Sequence, residues 1–353
     1  MSEADSEVKT AESAQEGAER APSNGVLLAA VCAVWMAAML WSARATITGR
    51  TAAEMEVTST AYALPGAVSS SLVAGAAVAL AVLAFLTRSG RGGSVTVRFA
   101  VATATGLGVG ALGALSIITI NTAGWLYAVV GGTVAAAATI GGALACLRYP
   151  RVTAAACWGA VTVFVVDVVL SSQQDWLLPV LGAGDTVESQ ASAAGWFTFV
   201  QSVLAGLAGA IVAYRVLRRA RRRSGVDVGW PLYALAGAGP GLLLIICEAL
   251  TRTAGSRVLE LAGKVSELEL TVQQMLNGSR LNGVLIVTFV GAFTAMIAVG
   301  RTMGTPAGTD GAAVSGGDTA PDAGSTADGA DPDEIERAAR ADERLTAPAR
   351  LED

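Results

Sequence analysis

Residues 67–87 read AVSSSLVAGAAVALAVLAFLT and stop at Arg88. The stretch carries no charged side chain and is close to the roughly 20 residues that take an α-helix across a hydrocarbon core about 30 Å thick. Blocks of this kind recur along the chain, and the expected spans are 26–43, 67–87, 99–120, 125–147, 152–170, 191–214, 228–250 and 284–300. The fold class is therefore all-α: a polytopic transmembrane helix bundle of about eight spans, filling residues 25–304.

Composition points the same way. Hydrophobic residues make up 53% of the chain and charged residues 15%, with a mean hydropathy of +0.53, whereas a soluble domain carries about 25% charged residues. Such an apolar surplus needs lipid as solvent. Lys occurs only at Lys9 and Lys264, and Ala, Gly and Val dominate the rest. This usage fits a GC-rich bacterial genome and hence a bacterial cell membrane.

The formal charge of −5 comes largely from the two ends. Residues 1–24, MSEADSEVKTAESAQEGAERAPSN, and 305–353 are acidic and lack hydrophobic periodicity, so both are expected to be disordered tails. Within the second, only Glu334 to Leu345 has the pattern of a short exposed helix. No basic segment precedes the first apolar block and no cleavage signal closes it, so 26–43 is expected as a retained helix. Because arginine dominates the short connecting loops while acid gathers in the tails, no nucleic-acid partner is expected. The lipid bilayer is the partner that the sequence implies.

Arginine also orients the bundle. Arg88, Arg91 and Arg98 fall in one loop, Arg148 and Arg151 in the next, and Arg215 to Arg223, RVLRRARRR, in a third. Short loops rich in arginine face the cytoplasm, which puts both termini there. The run at 215–223 is also dense enough to attract anionic headgroups. Trp41, Trp125, Trp176 and Trp196 then lie at outer span ends and Trp158 and Trp230 near inner ends, as an aromatic belt requires.

Several chemistries are excluded. The chain has no His, which removes the commonest proton shuttle and metal ligand. Cys32, Cys146, Cys157 and Cys247 lie singly inside apolar blocks and read as buried free thiols. No cofactor is expected: GVGALG at 108–113 matches a dinucleotide fingerprint in form, but it sits inside a span, where its glycines serve helix packing. Without a Walker A sequence, nucleophile elbow or zinc motif, the chain is not expected to be an enzyme.

The features that bear on function are few. A shift of 131 residues places Gly106, Gly108 and Gly110 on Gly237, Gly239 and Gly241, Ala74-Gly75 on Ala205-Gly206, and Arg88 on Arg219. Four crossings return a chain to its starting side, so the shift describes a candidate 4+4 parallel internal repeat. Pro240, among the glycines of the seventh span, removes a helix hydrogen bond, and with Gly106, Gly108 and Gly110 marks a candidate broken-helix substrate region. Asp167 and Glu248 are acidic residues within spans, where charge is costly, and are candidate ion or proton sites. A simpler role is also open to both: Asp167 is one turn from a span exit, and Glu248 precedes Arg252 by four residues, the order for a helix ion pair.

Between the last two spans, Val258, Leu261, Val265, Leu268, Val272 and Met275 alternate at three and four residues. This predicts an extracytoplasmic amphipathic helix at 256–276, which lies on the membrane, packs on the chain itself or pairs with a protein partner.

Two functions follow. The first is a permease-like transport protein with a cavity reaching the bilayer midplane beside Asp167 or Glu248. The second is a non-transporting scaffold or subunit of an envelope complex, with closed packing around both carboxylates. A membrane-embedded enzyme ranks below either.

The orientation makes a direct prediction. In a chain lacking its native cysteines, single cysteines at 256–276 should react with an impermeant thiol reagent applied to intact cells, and those at 89–97 should not. The reverse pattern would overturn the assignment.

Overall fold

The computed structural model describes residues 23–48, 53–90, 94–120, 125–224, 229–254 and 267–303. Both expected acidic tails, save the last residues of the first, and the first part of the expected amphipathic helix lie outside them.

The described residues form helices and connecting turns, with no strand among them. In chain order the helices are α1 (Ser23–Thr48), α2 (Ala53–Arg88), α3 (Val95–Ile118), α4 (Trp125–Leu144), α5 (Pro150–Ser172), α6 (Gln174–Val180), α7 (Val187–Ser224), α8 (Trp230–Thr253) and α9 (Glu267–Met303). All except the short α6 are long and apolar enough to cross a membrane, which gives the eight spans of a multi-pass membrane protein.

Local chemistry sets several boundaries. Ser94 caps α3 by accepting a hydrogen bond from the Val97 amide. Pro150 opens α5 and Pro231 follows the first residue of α8, positions where a missing N–H leaves no bond unmade.

Successive spans run back and forth. At one end, Arg44 Nη1 donates to the Ser116 carbonyl at 2.7 Å and to Thr119 Oγ1 at 3.1 Å, tying the ends of α1 and α3. At the other, Cys146 Sγ donates to the Arg98 carbonyl at 3.3 Å, joining the end of α4 to the start of α3. The second end holds Arg88, Arg98, Arg148, Arg151 and the basic run of α7, and is called the arginine-rich end below; the first is the arginine-poor end.

The spans fall into two sets of four, α1 to α4 and α5 with α7 to α9. Within each set the same pairs touch: first with second and third, second with third and fourth, and third with fourth. Glycine makes the closest approaches. Gly106 and Gly110 lie against Ala135, Ala138 and Gly142 of α4, and Gly237 and Gly241 against Thr288, Gly291 and Ala295 of α9. The contacted positions have the same spacing in both fourth helices. Between the sets, Trp35 of α1 stacks on Phe164 of α5 with ring centroids 4.7 Å apart.

Three features depart from the sequence reading. First, neither α3 nor α8 is broken. Pro240 lies inside a continuous α8, and its ring fills a notch at Gly159 of α5 and Gly209 of α7, where any side chain would collide. A proline dihedral fits a helix, and in lipid the remaining backbone groups must stay bonded, so packing and solvent hold the helix together.

Second, α2, α7 and α9 run to 36, 38 and 37 residues, well beyond the apolar blocks inside them. At 1.5 Å per residue α7 is about 57 Å long, so it reaches past the hydrocarbon and carries the basic run as helix. Residues 267–276 of the expected separate amphipathic helix are the opening turns of α9. Asn277-Gly278 and Asn282-Gly283 look like stops in sequence, but elongating an existing helix is far easier than starting one, and α9 continues through both. Third, α6 was not foreseen. Its sequence, QDWLLPV, has Asp175 in the first turn and an exposed Trp176, the composition of a short interfacial segment.

The glycine contacts separate two substitutions. A side chain at Gly237 meets the backbone of Gly291, whereas at Gly108 nothing lies within 4 Å. Gly237→Leu should lower stability by about 1–3 kcal/mol or more, and Gly108→Leu should be nearly neutral. Thermal unfolding of the two purified variants checks this, and equal losses would refute the packing.

Candidate functional site: a one-sided cavity holding two carboxylates

In the arginine-poor half of the second set of spans, small and polar residues line a space between the helices. The space is a cavity of about 550 Å³ between α5, α7, α8 and α9, completed by Pro65, Gly66 and Ser69 of α2. Its floor is apolar: Val163, Leu244 and Val287 line it, and with Ala205 they form a packed cluster near mid-span. Beneath them Pro240 closes on Gly159 and Gly209, and Gly237 on Gly291. Exposed Ser171 lies at the mouth. The cavity thus opens at one end and is closed by packing at the other.

Both acidic residues singled out in the sequence line this cavity. Each stands four residues, or about 6 Å along its helix, above its floor residue, Asp167 over Val163 and Glu248 over Leu244. Their surroundings differ. Glu248 is 8% exposed, and its Oε1 accepts from Arg252 Nε at 2.7 Å, the ion pair expected from the four-residue spacing. That pair neutralises its charge from within α8.

Asp167 has no cation partner among the described residues. Its Oδ1 accepts from Gln201 Nε2 of α7 at 3.3 Å, and the same nitrogen reaches the Asp167 carbonyl and Ser171 Oγ at 3.4 Å each. These distances are at the long end for N–H···O bonds, whose usual length is about 2.9–3.0 Å. The carboxylate keeps acceptor capacity facing the cavity.

A third charge joins them. Arg280 of α9 lines the same space, half-buried, with no hydrogen bond or ion pair among the described residues. The remaining polar wall includes Thr198, Ser202 and Thr251; the hydroxyls of Ser202 and Thr251 bond back to carbonyls one turn earlier, which satisfies them locally. Among the described residues no three His, Cys, Asp or Glu side chains converge as metal ligands would.

Comparison with protein-family models, with curated proteins and with solved structures finds no match. The site therefore rests on its own geometry.

The tertiary structure brings Asp167 and Glu248 to one cavity but leaves the glycine-rich region outside it. Gly106, Gly110, Gly237 and Gly241 are helix contacts, Gly239 meets Ala156, Pro240 plugs the packing below the floor, and Gly108 is exposed. Two participants escaped the sequence reading. Gln201 has no local mark beyond being an amide within an apolar span. Arg280 fell in what looked like a loop, because Gly278 and Gly283 flank it; an arginine seven residues before the apolar Val287, on one helical face with it, was the available signal.

Because Asp167 holds no ion pair among the described residues, its charge is not a structural tie. Asp167→Asn should leave stability unchanged or raise it, since the amide removes a charge from low dielectric. Thermal unfolding tests this, and a loss above about 1 kcal/mol would assign the carboxylate a structural role.

Proposed function

We propose that the protein is a permease-like transporter and that the cavity is its solute site, opening to the outside of a bacterial cell membrane with both chain ends in the cytoplasm. The observation that carries the reading is one-sidedness: a polar space with two carboxylates reaches mid-span from one end, while glycine and proline packing seals the other. Alternating access requires such a state. A scaffold has no use for a charged cavity near the bilayer midplane, where ionisable groups are costly.

The matched helix contacts of the two sets support a duplicated four-span unit, with the seam at Trp35 and Phe164 as the surface on which one set rocks against the other. Arginine at the sealed end supports the orientation through the positive-inside rule. Asp167, with no counter-charge among the described residues, is the preferred ion or proton site of the two. Glu248 holds Arg252 in place.

Accessibility of the floor tests the reading. In a chain lacking Cys32, Cys146, Cys157 and Cys247, Leu244→Cys should react with a small charged thiol reagent in right-side-out vesicles and, through the second state of the cycle, in inverted vesicles. Ser171→Cys at the mouth should react mainly in right-side-out vesicles. Reaction of Leu244→Cys from one side alone would argue for a receptor or scaffold and against transport.

A further inference from the structure

The charges in the cavity are arranged to recognise two ends of one molecule. Glu248 is paired with Arg252, and among the described residues Asp167 is left as an anion and Arg280 as a cation without an ion-pair partner on the same space. They are carried by α5 and α9, which pack on α7 and α8 but share no extended contact with each other. These two helices are therefore diagonal in the four-helix ring, and the charges come from opposite walls.

We infer that the site binds a small zwitterion of dipeptide size, its amine on Asp167 and Gln201, its carboxylate on Arg280, and an apolar side chain over Val163, Leu244 and Val287. The inference deepens the transport reading and rests on it for the direction of access.

Three observations set the class. The first is charge: among the described residues that line the cavity, one unpaired carboxylate and one unpaired guanidinium complement a molecule of zero net charge with separated ends. A simple organic anion or cation would leave one of them desolvated and alone.

The second is separation. Packed helix axes are 8–10 Å apart, so diagonal axes are about 13 Å apart. Along the axis, Arg280 is seven residues above the floor residue Val287 and Asp167 four above Val163, a further offset of about 4–5 Å. A long arginine and a short aspartate close much of the gap, yet no ion pair joins them among the described residues, so guanidinium and carboxylate stay apart. An α-amino acid, with both charges on one carbon, spans the least of such a gap. A dipeptide, with its charges on separate residues, spans more of it.

The third is the floor. A cavity of about 550 Å³ with an apolar base has room for side chains beyond a bare backbone and falls within the roughly 300–1,000 Å³ of small-ligand pockets. Arginine suits the carboxylate end because its planar fork binds carboxylates in bidentate fashion.

Leucyl-leucine serves as probe, with its N-acetyl and C-amide derivatives and leucine as controls, measured by equilibrium binding to the full-length protein in lipid nanodiscs. The free dipeptide should bind at least about tenfold more tightly than leucine or either capped form, the range expected when one charge-assisted contact is lost. Asp167→Asn should erase the preference over the N-acetyl form and retain that over the amide. Arg280→Gln should do the opposite, and Arg280→Lys should restore part of the carboxylate preference.

A purely structural role for either residue would change all four affinities together and would overturn the assignment, as would equal binding of free and capped dipeptides or no dipeptide binding by the wild-type chain. Discriminating binding without uptake into proteoliposomes would remove the transport reading and leave the site. Floor access from both sides without dipeptide binding would do the reverse.

Discussion

Helices in a bilayer gain little by moving apolar side chains from lipid to protein, because both solvents are hydrocarbon. Close van der Waals approach of small residues holds them instead, and every larger feature of this chain depends on where that approach succeeds. Gly75 lies on the backbone of Ala138, Gly141 on Leu72, Gly106 on Gly142, and Gly237 on Gly291. At each, the helices come close enough that any Cβ would collide with main chain. The glycines that resemble a ligand-binding loop in one dimension are contact points in three.

The cavity is the complement of this rule. In the arginine-poor half of the second set, α7 and α9 meet at Gly206 and Val287 and again at Ser202 and Gly283, while Gln201, Ser279 and Arg280 line the space beside them. Polar side chains there are stabilised by facing water rather than lipid. The apolar cluster of Val163, Ala205 and Val287 marks the level where close packing resumes.

Electrostatics divides the two carboxylates. Glu248 and Arg252 share one helix at a spacing that brings them together whatever the tertiary fold. Asp167 has no such neighbour, and among the described residues its side-chain donor is Gln201, from another helix 34 residues away at a long distance. A charge neutralised locally is a fixture, whereas Asp167 meets only a weak neutral side-chain donor among the described residues.

The eight spans and the Glu248–Arg252 pair were legible in the sequence because they depend on local quantities: block length against bilayer thickness and four-residue spacing on a helix. Helix lengths were less so. Residues 53–66 and 267–283 look like loops, and only the cooperativity of helices already anchored in the membrane carries α2 and α9 through them. The presumed break at Pro240 failed because the residues that accept its ring, Gly159 and Gly209, belong to other helices. By itself the sequence determined the solvent, the class of fold and one ion pair. Only the tertiary structure decided that Asp167, Gln201 and Arg280 meet in one cavity. Those three come from three helices, and which face of each helix turns inward is set by glycine contacts between elements far apart in the chain.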